Sequence, residues 1–118
     1  MLDLNKIERI MVFGAHGDDE IIGCAGTVAY LANLGKEICV VNITYRETSY
    51  SEIYRKPAAM KSAEKEMQDA DEILGISKRV VFGLPCGGVV NDKENFERCM
   101  KLIRNFQPHV IFTHNPTD

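Results

Sequence analysis

Four short apolar runs alternate with segments of helical period, and that alternation limits the chain to few architectures. The runs are "ERIMVFG" (8–14), "EICVVNIT" (37–44), "RVVFGL" (79–84) and "HVIFTH" (109–114). Their brevity and their β-branched and aromatic content fit parallel strands covered on both faces, which read as nearly continuous apolarity. Between the first two, Ile21, Ala25, Val28 and Ala32 fall on one helical face, with Gly35 as C-terminal cap. A second helix places Ala59, Ala63, Met67, Ala70 and Leu74 inward, Pro57 in its first turn and Gly75 at its end. The third starts at Asn91 or Asp92, where "NDKE" has capping-box spacing, and turns Phe96, Cys99, Met100 and Ile103 inward. Strand, helix, strand, helix, strand, helix, strand predicts an α/β fold: a Rossmann-like three-layer sandwich with a mostly parallel sheet and helices on both faces.

That fold says where chemistry belongs. Open α/β sheets bind ligands beyond the carboxyl ends of their strands. "GAHGDDE" follows the first strand and "THNPTD" the fourth, so the two meet at one edge. "TYRETSYSEIYRK" (44–56), polar and tyrosine-bearing, follows the second strand and is long enough to reach over that edge. Its tyrosines Tyr45, Tyr50 and Tyr54 could stack on a sugar, although a surface loop needs no ligand to carry them.

The turn after the first strand gathers His16, Asp18, Asp19 and Glu20 within five positions. Adjacent like charges repel, so the cluster needs water, a helix terminus or a cation. Capping the first helix accounts for one or two acids, at about 1 kcal/mol each. It leaves His16, the third carboxylate and Gly17 between them unexplained. A zinc reading uses all of them: imidazole from His16 and carboxylate from Asp19 are suitable ligands, Asp18 stands ready to take a proton from water, and Glu20 orients a neighbouring group. On the residues alone both explanations stay open. A third ligand must come from another loop of the same edge, because a catalytic zinc normally has three.

Composition removes other classes. A net charge of −3 with scattered basic residues gives no surface to draw in nucleic acid. No apolar run approaches the roughly 20 residues of a membrane span. With 45% hydrophobic and 26% charged residues in 118, one globular domain over 1–118 is expected. Cys24, Cys39, Cys86 and Cys99 form no CxxC pair and the first residues are charged, so the thiols read as reduced and the location as cytoplasmic. Cys86 in "GLPCGG" has no assignable histidine and acid partners and reads as a packed thiol rather than a nucleophile. "GCAGT" lacks a Walker lysine, which excludes a phosphate loop. The charges of "KSAEKEMQDADE" read as the solvated face of the second helix.

"AHGDDE" followed by "GCAGT" resembles the "HPDDE" signature of the LmbE-like or PIG-L family of zinc-dependent de-N-acetylases. "EKEMQDADEILGI" is similar to that family's second-helix motif, "VVFGLP" to its third strand and "QPHVIFTHNPTD" to its fourth. The resemblance implies zinc bound by His16 and Asp19, with Asp18 as general base. It implies hydrolysis of an acetamide, commonly on an N-acetylglucosamine unit or another N-acetylated sugar or conjugate, to a free amine and acetate.

The pattern departs from the family at Gly17 for the usual proline, Ala63 for a substrate-contacting arginine ahead of Glu66, Arg46 for glycine and Cys86 for an acid. In the family a His-x-Asp-His element follows a segment like "THNPTD" and supplies the third zinc ligand and a histidine acid. The expectation is therefore a family domain truncated at the C-terminus, with the third ligand beyond Asp118 and little activity in these residues by themselves. His114 is the substitute within them, although a strand-end histidine more often bonds to backbone. His109, at the opposite edge, reads as an ordinary surface residue. A truncated sheet would expose an edge that a homo-oligomer would cover. The competing reading is a non-catalytic α/β binding or interaction module whose acids cap a helix.

Overall fold

The computed structural model describes residues 3–45 and 55–117. Arg46, Tyr50 and Tyr54 lie outside the described residues. After a 3-10 turn (Leu4–Lys6) come β1 (Arg9–Gly14), α1 (Asp19–Asn33), β2 (Glu37–Thr44), α2 (Lys56–Leu74), β3 (Lys78–Leu84), α3 (Lys93–Phe106) and β4 (Val110–Phe112). The four strands form a parallel sheet in the order β3-β2-β1-β4. The expected alternation is therefore present, with β4 shorter than its apolar run. His109 falls just outside that strand, and its Nδ1 accepts the Arg9 backbone N–H at 3.3 Å. His109 is exposed, as expected, and its imidazole ties the start of β4 to the start of β1.

Strand alternation sorts the core into two sides. Ile10, Val12, Ile38 and Val40 pack with Val28 and Leu31 of α1 and with Leu74 near the end of α2. Met11, Cys39 and Val41 face the other way, where Leu102, Ile103 and Phe106 of α3 cover them. This is the three-layer sandwich. Arg98 of α3 adds a guanidinium over the Phe82 ring, 4.0 Å from its centroid. The sheet order turns around at β1, between β2 on one side and β4 on the other, and the crevice at such a point is where doubly wound sheets place ligands.

Helix ends follow local chemistry with two adjustments. Gly75 closes α2 in the left-handed conformation (φ 72°), and Pro57 sits in its first turn. At α3 the cap is Asp92, whose carboxylate accepts the Asn95 N–H at 2.9 Å, so the capping box from Asn91 to Glu94 does not form. Left-handed Gln107 (φ 52°) ends the helix. Phe96 points outward, 62% exposed, against the expected inward face.

The larger difference is the phase of α1. Glu20, Cys24, Val28 and Leu31 form its inner face, while Ile21 and Ile22 are exposed, Ile22 by 81%. An apolar-in rule puts Ile21 inside. A buried partner for the Glu20 charge, carried by β3, reverses that choice, and the helix bends at Cys24 (φ −150°, ψ 19°).

Candidate functional site

β1 ends at buried Gly14, where a Cβ would stand 3.0 Å from the Asp19 Cβ and 3.2 Å from Asn42 Nδ2. The bare backbone lets the turn fold back on itself. The Ala15 carbonyl accepts the Thr44 N–H at 2.9 Å and the Thr44 hydroxyl at 2.8 Å, which pins the turn to the end of β2. The His16 carbonyl accepts from Asn42 Nδ2 at 2.7 Å, and the His16 N–H donates to Asp19 Oδ2 at 2.9 Å. His16 is thereby held at both backbone groups while its imidazole stays half exposed.

Gly17 needs no left-handed backbone, since it is not among the glycines of positive φ. It is buried under α2, and a Cβ there would lie 2.8 Å from Met67 Sδ. The missing side chain at Gly17 is what admits Met67.

The three acids have three different surroundings. Asp18 is the N-cap residue of α1 by its backbone, and its carbonyl accepts the Ile21 and Ile22 N–H groups at 3.0 Å each. Its side chain makes no capping hydrogen bond. Asp19 directs Oδ2 toward the histidines: the His16 Nδ1 lies 3.9 Å away and the His114 Nε2, from the loop after β4, 3.0 Å. Glu20 is fully buried and bonds to Arg79 and Asn42. A side-chain cap hydrogen bond therefore does not explain the cluster, although Asp19 and Glu20 do lie in the first turn of α1.

His114 Nε2 also lies 3.3 Å from the Ala15 N–H. One ring nitrogen cannot accept that proton and donate its own to Asp19. The shorter contact, to an ionised oxygen, favours the tautomer protonated at Nε2 and donating to Asp19. Thr113 and His114, with Asp19, Phe13 and Cys24, line a cavity of about 370 Å³ between α1 and the β1–β4 strands.

His16 and Asp19 offer a nitrogen and an oxygen of the kinds zinc takes at a strand end, the histidine half exposed and the aspartate largely covered. In type they fit the metal. In number they fall short: among the described residues no three His, Cys, Asp or Glu side chains are grouped so as to hold a metal ion. His114 is near, but its nitrogen is engaged with the Asp19 oxygen.

Two residues of this region, Arg79 and Asn42, are not among the candidates of the sequence, and for a third, Asp71, the sequence predicts the solvated face of α2. Arg79 lies on β3 and runs between α1 and α2, donating to Asp71 Oδ1 at 2.7 Å, to Glu20 Oε1 at 2.7 Å and to Asn42 Oδ1. Burial opposes its charge, but hydrogen bonds and attraction from Asp71 and Glu20 outweigh that and raise its pKa above the ordinary value. Asp71 belongs to this cluster and not to the solvated face of α2. The available signal was polarity inside apolar runs: an arginine opening "RVVFGL" and an asparagine inside "CVVNIT". Cys86 Sγ sits 3.6 Å from the Thr44 hydroxyl and 3.8 Å from the Tyr45 carbonyl.

A family model described as PIG-L, GlcNAc-PI de-N-acetylase, matches residues 11–118. The mycothiol S-conjugate amidase of Streptomyces coelicolor is 28% identical over 129 residues, covering 91% of this chain and 44% of the amidase. Among solved structures, the N,N'-diacetylchitobiose deacetylase of Pyrococcus horikoshii superposes with a TM-score of 0.84 at 20% identity, over 92% of this chain and 41% of that one. The 4-carboxy-2-hydroxymuconate hydratase GalB of Pseudomonas putida gives 0.80 at 23% identity, over 95% and 50%. At these identities the two structures establish the shared fold alone. The chain spans about half the length of these relatives or somewhat less.

Proposed function

The chain belongs to the PIG-L family of GlcNAc-PI de-N-acetylases, and on that premise we propose that it hydrolyses a carbon–nitrogen amide bond, with His16 and Asp19 holding zinc and Asp18 as general base. The substrate class is an N-acetylated sugar or sugar conjugate, which leaves as a free amine while water carries the acetyl group away as acetate. One observation carries the reading: His16 and Asp19 stand together at the carboxyl end of β1, beside an Asp18 carboxylate that has no capping role.

When bound, zinc supplies polarisation of the amide carbonyl and a lowered pKa for water, the two things an unreactive amide needs most. The chain's own residues do the rest. The His16 N–H and His114 Nε2 keep the Asp19 carboxylate facing the cavity. Asp18 takes a proton from the attacking water and returns a proton to the departing nitrogen as the C–N bond breaks. The GalB fold match shows that this architecture also hosts addition of water to a substrate of another kind, so the family match and not the fold favours an amide.

The test is metal content and acetate release in the full-length protein, purified natively without chelator and offered N-acetylated sugars. Bound zinc with acetate release that stops on chelation is the expected result. Absence of any metal, or acetate release untouched by chelation, overturns the metal assignment. A metal-bearing protein without amidase activity leaves the interaction-module reading in its place.

A further inference from the structure

The charge cluster under the turn is largely withdrawn from solvent, with Glu20 at the edge of the cavity beside α1 and Arg79 and Asp71 at the edge of a second one under α2. Arg79 is 8% exposed at its side chain and Glu20 not at all, and Asn42 is fully buried between them. Such a cluster is costly to desolvate, and well-packed apolar residues often do as well for stability. Its connections suggest what the charges do instead. The Arg79 guanidinium donates to Asn42 Oδ1, which orients the amide so that its Nδ2 faces the His16 carbonyl at 2.7 Å and Glu20 Oε2 at 3.3 Å. Asn42 cannot be turned over without setting its NH2 against the guanidinium donors. Asp71, taking Nε and Nη2 of Arg79, fixes the guanidinium plane from α2. The path from α2 to the His16 backbone is thus continuous, and at the same time it anchors Glu20, the residue that follows Asp19.

We propose that Arg79 is a positioning residue for the His16–Asp19 turn: through Asn42 it holds the His16 carbonyl, and through Glu20 it holds the first turn of α1. The inference rests on the reading that His16 and Asp19 bind zinc. The Arg79 guanidinium is committed to Asp71, Glu20 and Asn42, so its effect is on where the ligands stand. Outer partners of metal ligands typically change affinity about 10–100-fold when removed.

The experiment compares zinc affinity, by competition with a chromogenic chelator, in the full-length protein and two variants. Arg79→Lys keeps a charge but loses the planar fork that reaches Asp71, Glu20 and Asn42 together. Because a lone Arg79 change leaves Glu20 buried against an imperfect partner and could unfold the chain, the second variant is Glu20→Leu/Arg79→Met, which removes both buried charges. Amide hydrogen exchange at residues 15–19 in metal-free protein supplies a readout independent of zinc. Folded variants should bind zinc at least tenfold more weakly and exchange faster across the turn. Zinc affinity within twofold of the parent and unchanged exchange, in the double variant with a cooperative melt, overturns the positioning role. A parent protein that binds no zinc fails the underlying reading instead; accelerated exchange in the variants would still support the anchoring of the turn, and unchanged exchange would end that too.

Discussion

His114 Nε2 stands 3.0 Å from Asp19 Oδ2, although 95 residues of chain separate them. β1 and β4 are neighbours in the sheet, so the loops at their carboxyl ends converge at the point where strand order turns around. Both residues line the crevice. The contact also fixes Asp19 from outside its own turn, which the His16 N–H alone would do from within.

His114→Ala should therefore weaken zinc binding by about tenfold, the lower range for losing an outer partner of a ligand. Titration calorimetry on the full-length protein measures it, with His109→Ala as the comparison. His109 sits at the other end of β4 against the Arg9 N–H and should leave zinc affinity unchanged. Equal effects from the two substitutions would remove His114 from the site.

Asp18→Asn should lower kcat by about 10²–10⁴-fold, the span for a general base. Metal content should stay at the parent level, because Asp19 and His16 are untouched. Asp19→Asn should instead lose metal. Elemental analysis beside steady-state acetate release separates the two, and an Asp18→Asn protein of full activity would refute the base.

At Gly17 an added methyl meets Met67 Sδ, so Gly17→Ala should cost about 1–3 kcal/mol as an overpacked contact. The side chain of Met67 is flexible, and shortening it should restore room. Urea unfolding of Gly17→Ala, Met67→Ala and the pair forms the cycle. Additive costs would mean that the two residues do not press on each other.

Burial raises the Cys39 thiol pKa from its ordinary 9.0 despite the opposing charge of Lys78, and burial raises Cys24 and Cys99 as well. These groups favour the folded state in neutral form. Their contribution is complete below 9.0, the unfolded value, and is lost as pH rises through the higher folded values. Melting temperature should fall above that pH, and less steeply in Cys39→Ala than in the parent. Parallel curves would show that Cys39 ionisation is not linked to folding.

Much of this was legible in the linear chain because local rules governed it. Runs such as "CVVNIT" and "RVVFGL" state strand by composition, and glycine and proline mark the ends of α2, so the order of elements and the three layers follow from neighbouring residues. The grouping of His16 and Asp19 at a strand end came from the same source. What depended on distant partners did not. Ile21 faces out and Glu20 in because Arg79, 59 residues onward, neutralises a carboxylate that local periodicity would expel. His114 reaches Asp19 because β4 pairs with β1, a choice made by the sheet and not by either segment. Hydrophobic period and backbone preference act over a few residues, whereas a buried charge is tolerated only where folding delivers its counter-ion. Sequence alone therefore set the scaffold and its reactive edge, and tertiary structure decided which side chains that edge could hold in place.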